Sequence, residues 1–182
     1  MKISDLVQKN LVNADLKSKT SESVIAEIVD QLYKSRKIKD KKQVLEMLLK
    51  REKLGGTGIG EAIAIPHARI AELKEAVLFV GLSRHGINFS SIDGKPVKLI
   101  VLFLTPLLES ELHIKILSKI ATFLNNKIFA KRILDCSTND ELYSVLKQTG
   151  IEKEGFIALS KEEIYLELAS SDNGISGVSA QK

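Results

Sequence analysis

Ala76-Val77-Leu78-Phe79-Val80-Gly81-Leu82 and Val97-Lys98-Leu99-Ile100-Val101-Leu102-Phe103-Leu104 are nearly continuous apolar runs. Runs of this length and composition read as strands covered on both faces. Between them, Asp93-Gly94 marks a turn. Upstream, residues 21–35 repeat Val24, Ile25, Ile28, Val29 and Leu32 at helical spacing, with Ser21 as the expected cap. A second helix is expected from Asp40 to Leu54. Asp40 and Gln43 have capping-box spacing, and Gly55-Gly56 supplies the stop. Ala62–Ile65 reads as a short strand. After Pro106 the pattern Ile116, Leu117, Ile120, Ala121, Leu124 predicts a helix from Ser110 to Asn125, and Leu142, Val145 and Leu146 predict another after Asp140. Helices both precede and follow the strands, which gives an α/β fold: a sheet with helices on two faces.

Composition narrows the functional classes. The 182 residues suit one domain with a sizeable core. The single cysteine, Cys136, excludes an internal disulfide and a cysteine-rich metal site, and fits a reducing cytoplasm. The N-terminus has no apolar signal core, and the longest apolar run, Leu99 to Leu104, is too short to span a bilayer. No membrane insertion is therefore expected. Net charge is +4, with basic residues crowded between Lys34 and Lys53 and acidic ones after Gly150. Only Tyr33 interleaves with the basic residues, so the stretch reads as a solvated helix face and not as a nucleic-acid surface.

The chemistry-bearing groups are few. His67 follows Ile63-Ala64-Ile65-Pro66 and the glycine-spaced loop Gly55-Gly56-Thr57-Gly58-Ile59-Gly60. A neutral imidazole is a nucleophile near neutral pH and can carry a labile phosphoryl group. Such transfer needs in-line positioning and donors around three charged oxygens, which backbone N–H groups of the loop and the hydroxyl of Thr57 can supply. His113 falls in the first turn of its helix, with Ser110 as the expected N-cap, and borders the stripe of Leu117 and Ile120. A helix N-terminus favours an anion. Arg51 lies at helical spacing from Val44 and Leu48, near a helix end, where it must meet an anion or a fork of acceptors; Lys50 and Lys53 point elsewhere. Taken singly, each also reads as a structural residue: a strand-end histidine, a helix histidine bonded to backbone, and an arginine whose stem packs while its head reaches water. His85 reads as an exposed loop residue. A His67–His113 metal site lacks further ligands, since nothing requires Glu61, Glu109 or Glu111 to join it. The glycine loop lacks the Lys-Ser/Thr ending of a nucleotide-binding P-loop. No metal or other cofactor is expected.

The stretch Arg51-Glu52-Lys53-Leu54-Gly55-Gly56-Thr57-Gly58-Ile59-Gly60-Glu61-Ala62-Ile63-Ala64-Ile65-Pro66-His67-Ala68-Arg69 resembles the type-2 IIA domain of the bacterial phosphoenolpyruvate-dependent phosphotransferase system. Asp93-Gly94-Lys95-Pro96-Val97, Leu104-Thr105-Pro106 and His113 with Leu117 and Ile120 follow in matching order. The group includes fructose, mannitol and nitrogen-regulatory IIA proteins, and the stretch looks closest to the nitrogen-regulatory branch. The resemblance implies a mixed β-sheet sandwiched between α-helices. It implies that His67 accepts a phosphoryl group from a phosphohistidine on an HPr-like carrier, that His113 hydrogen-bonds and orients that group, and that Arg51 neutralises developing charge. The partners implied are that carrier and either a regulated target protein or a IIB component for sugar uptake. Gly56 and Ala62 depart from a serine and a glycine frequent in the family, and Ala68 from a frequent glycine. The resemblance covers about residues 3–149 and implies a domain over residues 1–150. Residues 151–182 form an extension beyond it, with capping-box spacing at Ser160 to Glu163 predicting a short helix through Leu168, then a disordered tail.

Overall fold

A computed structural model describes residues 2–148, all within one compact unit, Met1–Gly150. The helix and tail expected after Gly150 lie outside the described residues. In chain order the elements are α1 (Ile3–Leu6), a 3₁₀ turn, β1 (Val12–Asn13), α2 (Ser21–Lys34), α3 (Lys41–Lys53), β2 (Gly58–Gly60), β3 (Ile63–Ala64), β4 (His67–Ile70), β5 (Val77–Ile87), β6 (Val97–Pro106), α4 (Ser110–Leu124), α5 (Lys127–Leu134) and α6 (Asn139–Gln148).

The two apolar runs are the central pair. β5 and β6 are antiparallel, with Leu78 opposite Phe103 and Val80 opposite Val101. β1 adds in parallel to β5. β3 and β4 add in parallel to the other side of β6, and β2 pairs antiparallel with β3, so the sheet is mixed. Alternate side chains of β5 and β6 enter two separate cores, as the two-residue period of a strand requires. Phe79, Ile100, Leu102 and Leu104 pack with Val24, Ile25, Ile28 and Leu32 of α2 and Val44 and Leu48 of α3. Leu78, Val80, Leu99, Val101 and Phe103 pack with Ile116 and Ile120 of α4, Phe129 and Ile133 of α5, and Leu142 and Leu146 of α6. This is the sandwich expected. Phe79, Phe103 and Leu78 are among its fully buried side chains, each worth about 1.5–3 kcal/mol of burial.

Several boundaries differ from the sequence reading. Thr20, not Ser21, caps α2: its hydroxyl accepts from the Ser23 amide while the Ser23 hydroxyl accepts from the Thr20 amide. Asp40 caps α3 as expected, accepting from the Gln43 amide at 2.9 Å. Glu109 is the N-cap of α4 and makes no side-chain cap bond. Ser110 is that helix's first residue, and its hydroxyl accepts instead from Arg69 at 2.8 Å. His85 is exposed, as read, but belongs to β5, which runs on to Ile87. The Asp93-Gly94 turn forms with Gly94 at φ 67°. The Asp93 carboxylate gathers the Ser91 hydroxyl and the amides of Glu61 and Lys95, so the turn is tied to the loop that leads into β3. Those contacts hold the carboxyl below its ordinary pKa.

Candidate active site

The segment from α3 to β4 brings Arg51 to His67. α3 ends as Leu54 and Gly55 donate to the carbonyls of Arg51 and Glu52. The chain then passes beneath Ser90. A Cβ on Gly56 would run into the Ser90 carbonyl oxygen, so this backbone approach requires glycine. Gly60, Glu61 and Ala62 turn with φ of 90°, 51° and 62°, and two of them are not glycine. β4 then lies beside β6 with His67 opposite Phe103. Among the described residues β4 pairs with no other strand, so His67 sits on an open side of the sheet there. Paired residues share a face. His67 therefore stands with Phe103 on the α4 side, while Ala68 and Ile70 enter the core shared with α3. Arg51 reaches across this uncovered edge from the opposite layer.

The His67 ring is fixed at three points. Its Nδ1 lies 2.8 Å from the Ile65 carbonyl oxygen, which can only accept, so Nδ1 carries the proton. That leaves the lone pair on Nε2, which receives Nε–H of Arg51 at 3.2 Å. Phe103 stacks on the ring at 5.3 Å between centroids and an interplanar angle of 15°. Arg51 is itself held, donating from Nη1 to the Gly55 carbonyl at 2.8 Å. The His113 ring lies edge-on to His67 at 5.3 Å, and its Nδ1 is 2.8 Å from Oγ1 of buried Thr105.

Both imidazoles are biased toward the neutral form. Burial lowers the pKa of His67, with the Arg51 charge acting in the same sense; the Ile65 carbonyl and Glu52 pull the other way without prevailing. Burial likewise lowers His113, to about 4, and the nearby His67, Arg69 and Arg51 add to it. At neutral pH the pair therefore presents uncharged rings beneath two guanidinium groups.

These groups line an open cleft of about 530 Å³ with Arg69, Ser110 and an apolar rim of Met47, Leu54, Leu107 and Ile114. Leu54 is 80% and Ile114 67% exposed, unusual for aliphatic side chains around a charged site. His67, His113 and Arg51 are thus brought together as the sequence suggested. Thr57 is not in the cleft lining. It is buried, and its hydroxyl and amide both donate to Glu52, the former at 2.5 Å. Its role here is to tie the glycine loop to α3. Lys50 lines the cleft, contrary to the expectation that it points elsewhere, because it shares one helix face with Met47, Arg51 and Leu54 at three- and four-residue spacing. Arg69, Phe103 and Thr105 were not singled out as site residues. Arg69 alternates with buried Ala68 on β4, which offered a cue; Thr105 stood in the matching stretch Leu104-Thr105-Pro106, but nothing there announced its bond to His113. Among the described residues no three of His, Cys, Asp and Glu gather closely enough to hold a metal ion, and no helix is long and apolar enough to cross a membrane.

The family described as "Phosphoenolpyruvate-dependent sugar phosphotransferase system, EIIA 2" matches residues 5–149. A fructose-specific EIIABC component of Bacillus subtilis is 33% identical over 148 residues, 81% of this chain and 23% of that protein. A nitrogen regulatory protein of Bradyrhizobium diazoefficiens is 35% identical over 147 residues, 80% of this chain and 95% of that one. The crystal structure of the nitrogen regulatory protein IIA-Ntr from Neisseria meningitidis superposes with a TM-score of 0.72 at 30% identity, covering 79% of this chain and 98% of that chain. A match of this length, on the same fold and containing the Arg51–Arg69 segment, leaves one assignment: the chain belongs to the type-2 EIIA family of the phosphoenolpyruvate-dependent phosphotransferase system.

Proposed function

We propose that Nε2 of His67 accepts a phosphoryl group from the phosphohistidine of an HPr-like carrier protein and later passes it on, and that residues 1–150 are the domain that does so. The observation that carries this reading is the fixed tautomer: a proton held on Nδ1 by the Ile65 carbonyl, and the Nε2 lone pair facing an arginine in an open cleft. The lone pair attacks phosphorus, the N–P bond to the donor imidazole breaks, and the donor ring keeps that electron pair. The His67 proton stays on Nδ1, bonded to Ile65. Arg51 and Arg69 stabilise the charge on the equatorial oxygens. When Thr105 donates to Nδ1 of His113, the His113 proton sits on Nε2 and is available to a phosphoryl oxygen.

The output is regulatory and cytoplasmic in this proposal: the phosphorylation state of His67 controls docking of a target protein on the apolar rim. A phosphoryl group adds nearly two negative charges amid Leu54, Leu107 and Ile114, enough to reverse such a contact. The likeness to the Bradyrhizobium and Neisseria nitrogen regulatory proteins supports this branch. The 33% identity to a fructose-specific protein supports a second reading, in which the phosphoryl group goes to a IIB partner for sugar uptake.

Incubation with phosphoenolpyruvate, enzyme I and the HPr-like carrier should add one phosphate by intact mass, and His67→Ala should add none. Wild-type protein left unmodified by its cognate carrier overturns the proposal. Pull-downs with wild type and His67→Ala separate the branches: capture of a IIB component alone selects sugar uptake.

A further inference from the structure

A second polar cavity lies at the other end of the β5–β6 pair. Leu82 faces Leu99 there, whereas His67 faces Phe103. The intervening stretch of β6 separates the two places by about 13 Å at ~3.3 Å per residue. This cavity, of about 230 Å³, is lined by Ser83, Arg84, Lys98, Asp135, Cys136 and Ser137 among others. Ser83 is 2% exposed, and its Oγ has no hydrogen-bond partner. A buried hydroxyl in that state lacks the acceptor that such groups ordinarily find. Arg84 spends one N–H on the Ser137 carbonyl at 2.8 Å, and a guanidinium carries five. Lys98 adds a second cation, against Asp135 as the acid of the lining. The amides of Ser137 and Thr138 are already taken by the Glu141 carboxylate, so recognition falls to side chains. The Cys136 thiol donates to the Arg132 carbonyl, and burial raises its pKa, which leaves it unreactive.

We propose that this cavity binds a small oxyanion, a phosphate- or carboxylate-bearing metabolite smaller than a nucleotide, with Ser83 Oγ donating to it and Arg84 and Lys98 supplying the charge. The volume falls below the roughly 300 Å³ at which pockets begin to take drug-sized ligands. The occupant bridges β5, β6 and the loop between α5 and α6, and nothing in its recognition depends on the chemistry assigned to His67.

The test uses the full chain, titrated with inorganic phosphate and separately with malonate while amide spectra are recorded. Saturable shifts are expected at Ser83, Arg84 and Ser137, apart from any at the His67 cleft, with phosphate, malonate or both. Arg84→Gln and Ser83→Ala should each weaken that binding about tenfold, the loss of one charge-assisted hydrogen bond. Ser83→Ala has a second readout. It removes an unpartnered hydroxyl, so the free protein should melt no lower than wild type while losing the rise that the ligand gives wild type. Shifts absent with both probes, shifts confined to the His67 cleft, or undiminished affinity in both variants overturn the proposal.

Discussion

Replacing Arg51 with Gln separates two things the guanidinium does in this structure. The substitution removes the Nε–H donated to Nε2 of His67 at 3.2 Å and the Nη1–H donated to the Gly55 carbonyl at 2.8 Å. If Arg51 stabilises the oxygens in transfer, its loss should resemble removal of one preorganised donor, about 10²–10³-fold in rate. Arg69 remains in the same cleft, so the lower end, about 10²-fold or 2.7 kcal/mol, is expected. The Gly55 bond is exposed, and its loss should cost no more than about 1 kcal/mol of stability. The Arg51 charge also helps to lower the His67 pKa. Its removal should move that pKa upward, still short of the ordinary value because burial is the larger cause. Arg51→Lys should keep the pKa low but lose most of the rate, since an ammonium cannot span Gly55 and His67 as a guanidinium does. Rapid-quench transfer from phosphorylated carrier and an imidazole titration followed by nitrogen spectra give the two numbers separately. Transfer by Arg51→Gln within about threefold of wild type, some 0.6 kcal/mol, together with an unmoved His67 titration, would refute the role given to Arg51.

Gly56→Ser should lower stability by about 1–3 kcal/mol in urea, because its Cβ meets backbone at Ser90; an unchanged midpoint contradicts the tight approach. Thr57→Val should cost about 1–3 kcal/mol of stability through loss of the hydroxyl bond to Glu52, which keeps the amide bond at residue 57, yet change transfer by less than about tenfold; a loss near 10²-fold would place the hydroxyl in the reaction. His113 titrates at about 4 when folded against 6.5 ordinarily. The unfolded chain thus binds more protons between those values, so stability is full above pH 6.5 and falls as pH drops toward about 4. His67, lowered too, adds in the same direction. A denaturation series across that window should show the slope, and His113→Gln should flatten it.

The central strands were legible because burial on both sides writes itself as an unbroken apolar run, and α2 and α4 because their stripes have helical spacing. β2 and β4 were not. Gly58–Gly60 carries no hydrophobic signal, and β4 is held by pairing with β6 that depends on residues 30 or more positions away. The short helix α5 carries Asn126 as a cap, accepting from the Phe129 amide, and Phe129, Ala130 and Ile133 at helical spacing, but over only eight residues. His67, His113 and Arg51, which the structure brings together, stood out in the sequence because a polar group beside an apolar stripe is conspicuous. The placement of Thr57 outside the cleft lining was not legible, because a hydroxyl in a glycine loop looks available until the Glu52 carboxylate upstream claims it. Ser110 failed similarly as a cap, because Arg69 across the cleft holds its oxygen.

A carrier differs from an ordinary phosphotransferase site in that the acceptor must also be a good donor, and the proposed site meets both demands with one device. Burial lowers the His67 pKa, so the free ring keeps its lone pair at neutral pH without a general base. The same burial makes the phosphorylated ring, which carries positive charge while Nδ1 keeps its proton, less comfortable than it is in water. The Ile65 carbonyl limits that discomfort by accepting the Nδ1 proton in both states. Arg51 and Arg69 favour the phosphoryl oxygens, but each is already engaged, with Gly55 and Ser110 respectively. Capturing phosphate therefore falls to the remaining N–H donors of guanidinium groups whose orientation is already set by those bonds. These opposed terms keep the bound state from becoming a sink. Strengthening any one of them, for example by freeing Arg69 with Ser110→Ala, should shift the phosphoryl equilibrium toward His67 and slow its onward transfer. Equilibrium labelling against the phosphorylated carrier measures that shift, and an unchanged distribution would show that Arg69 does not reach the phosphoryl group.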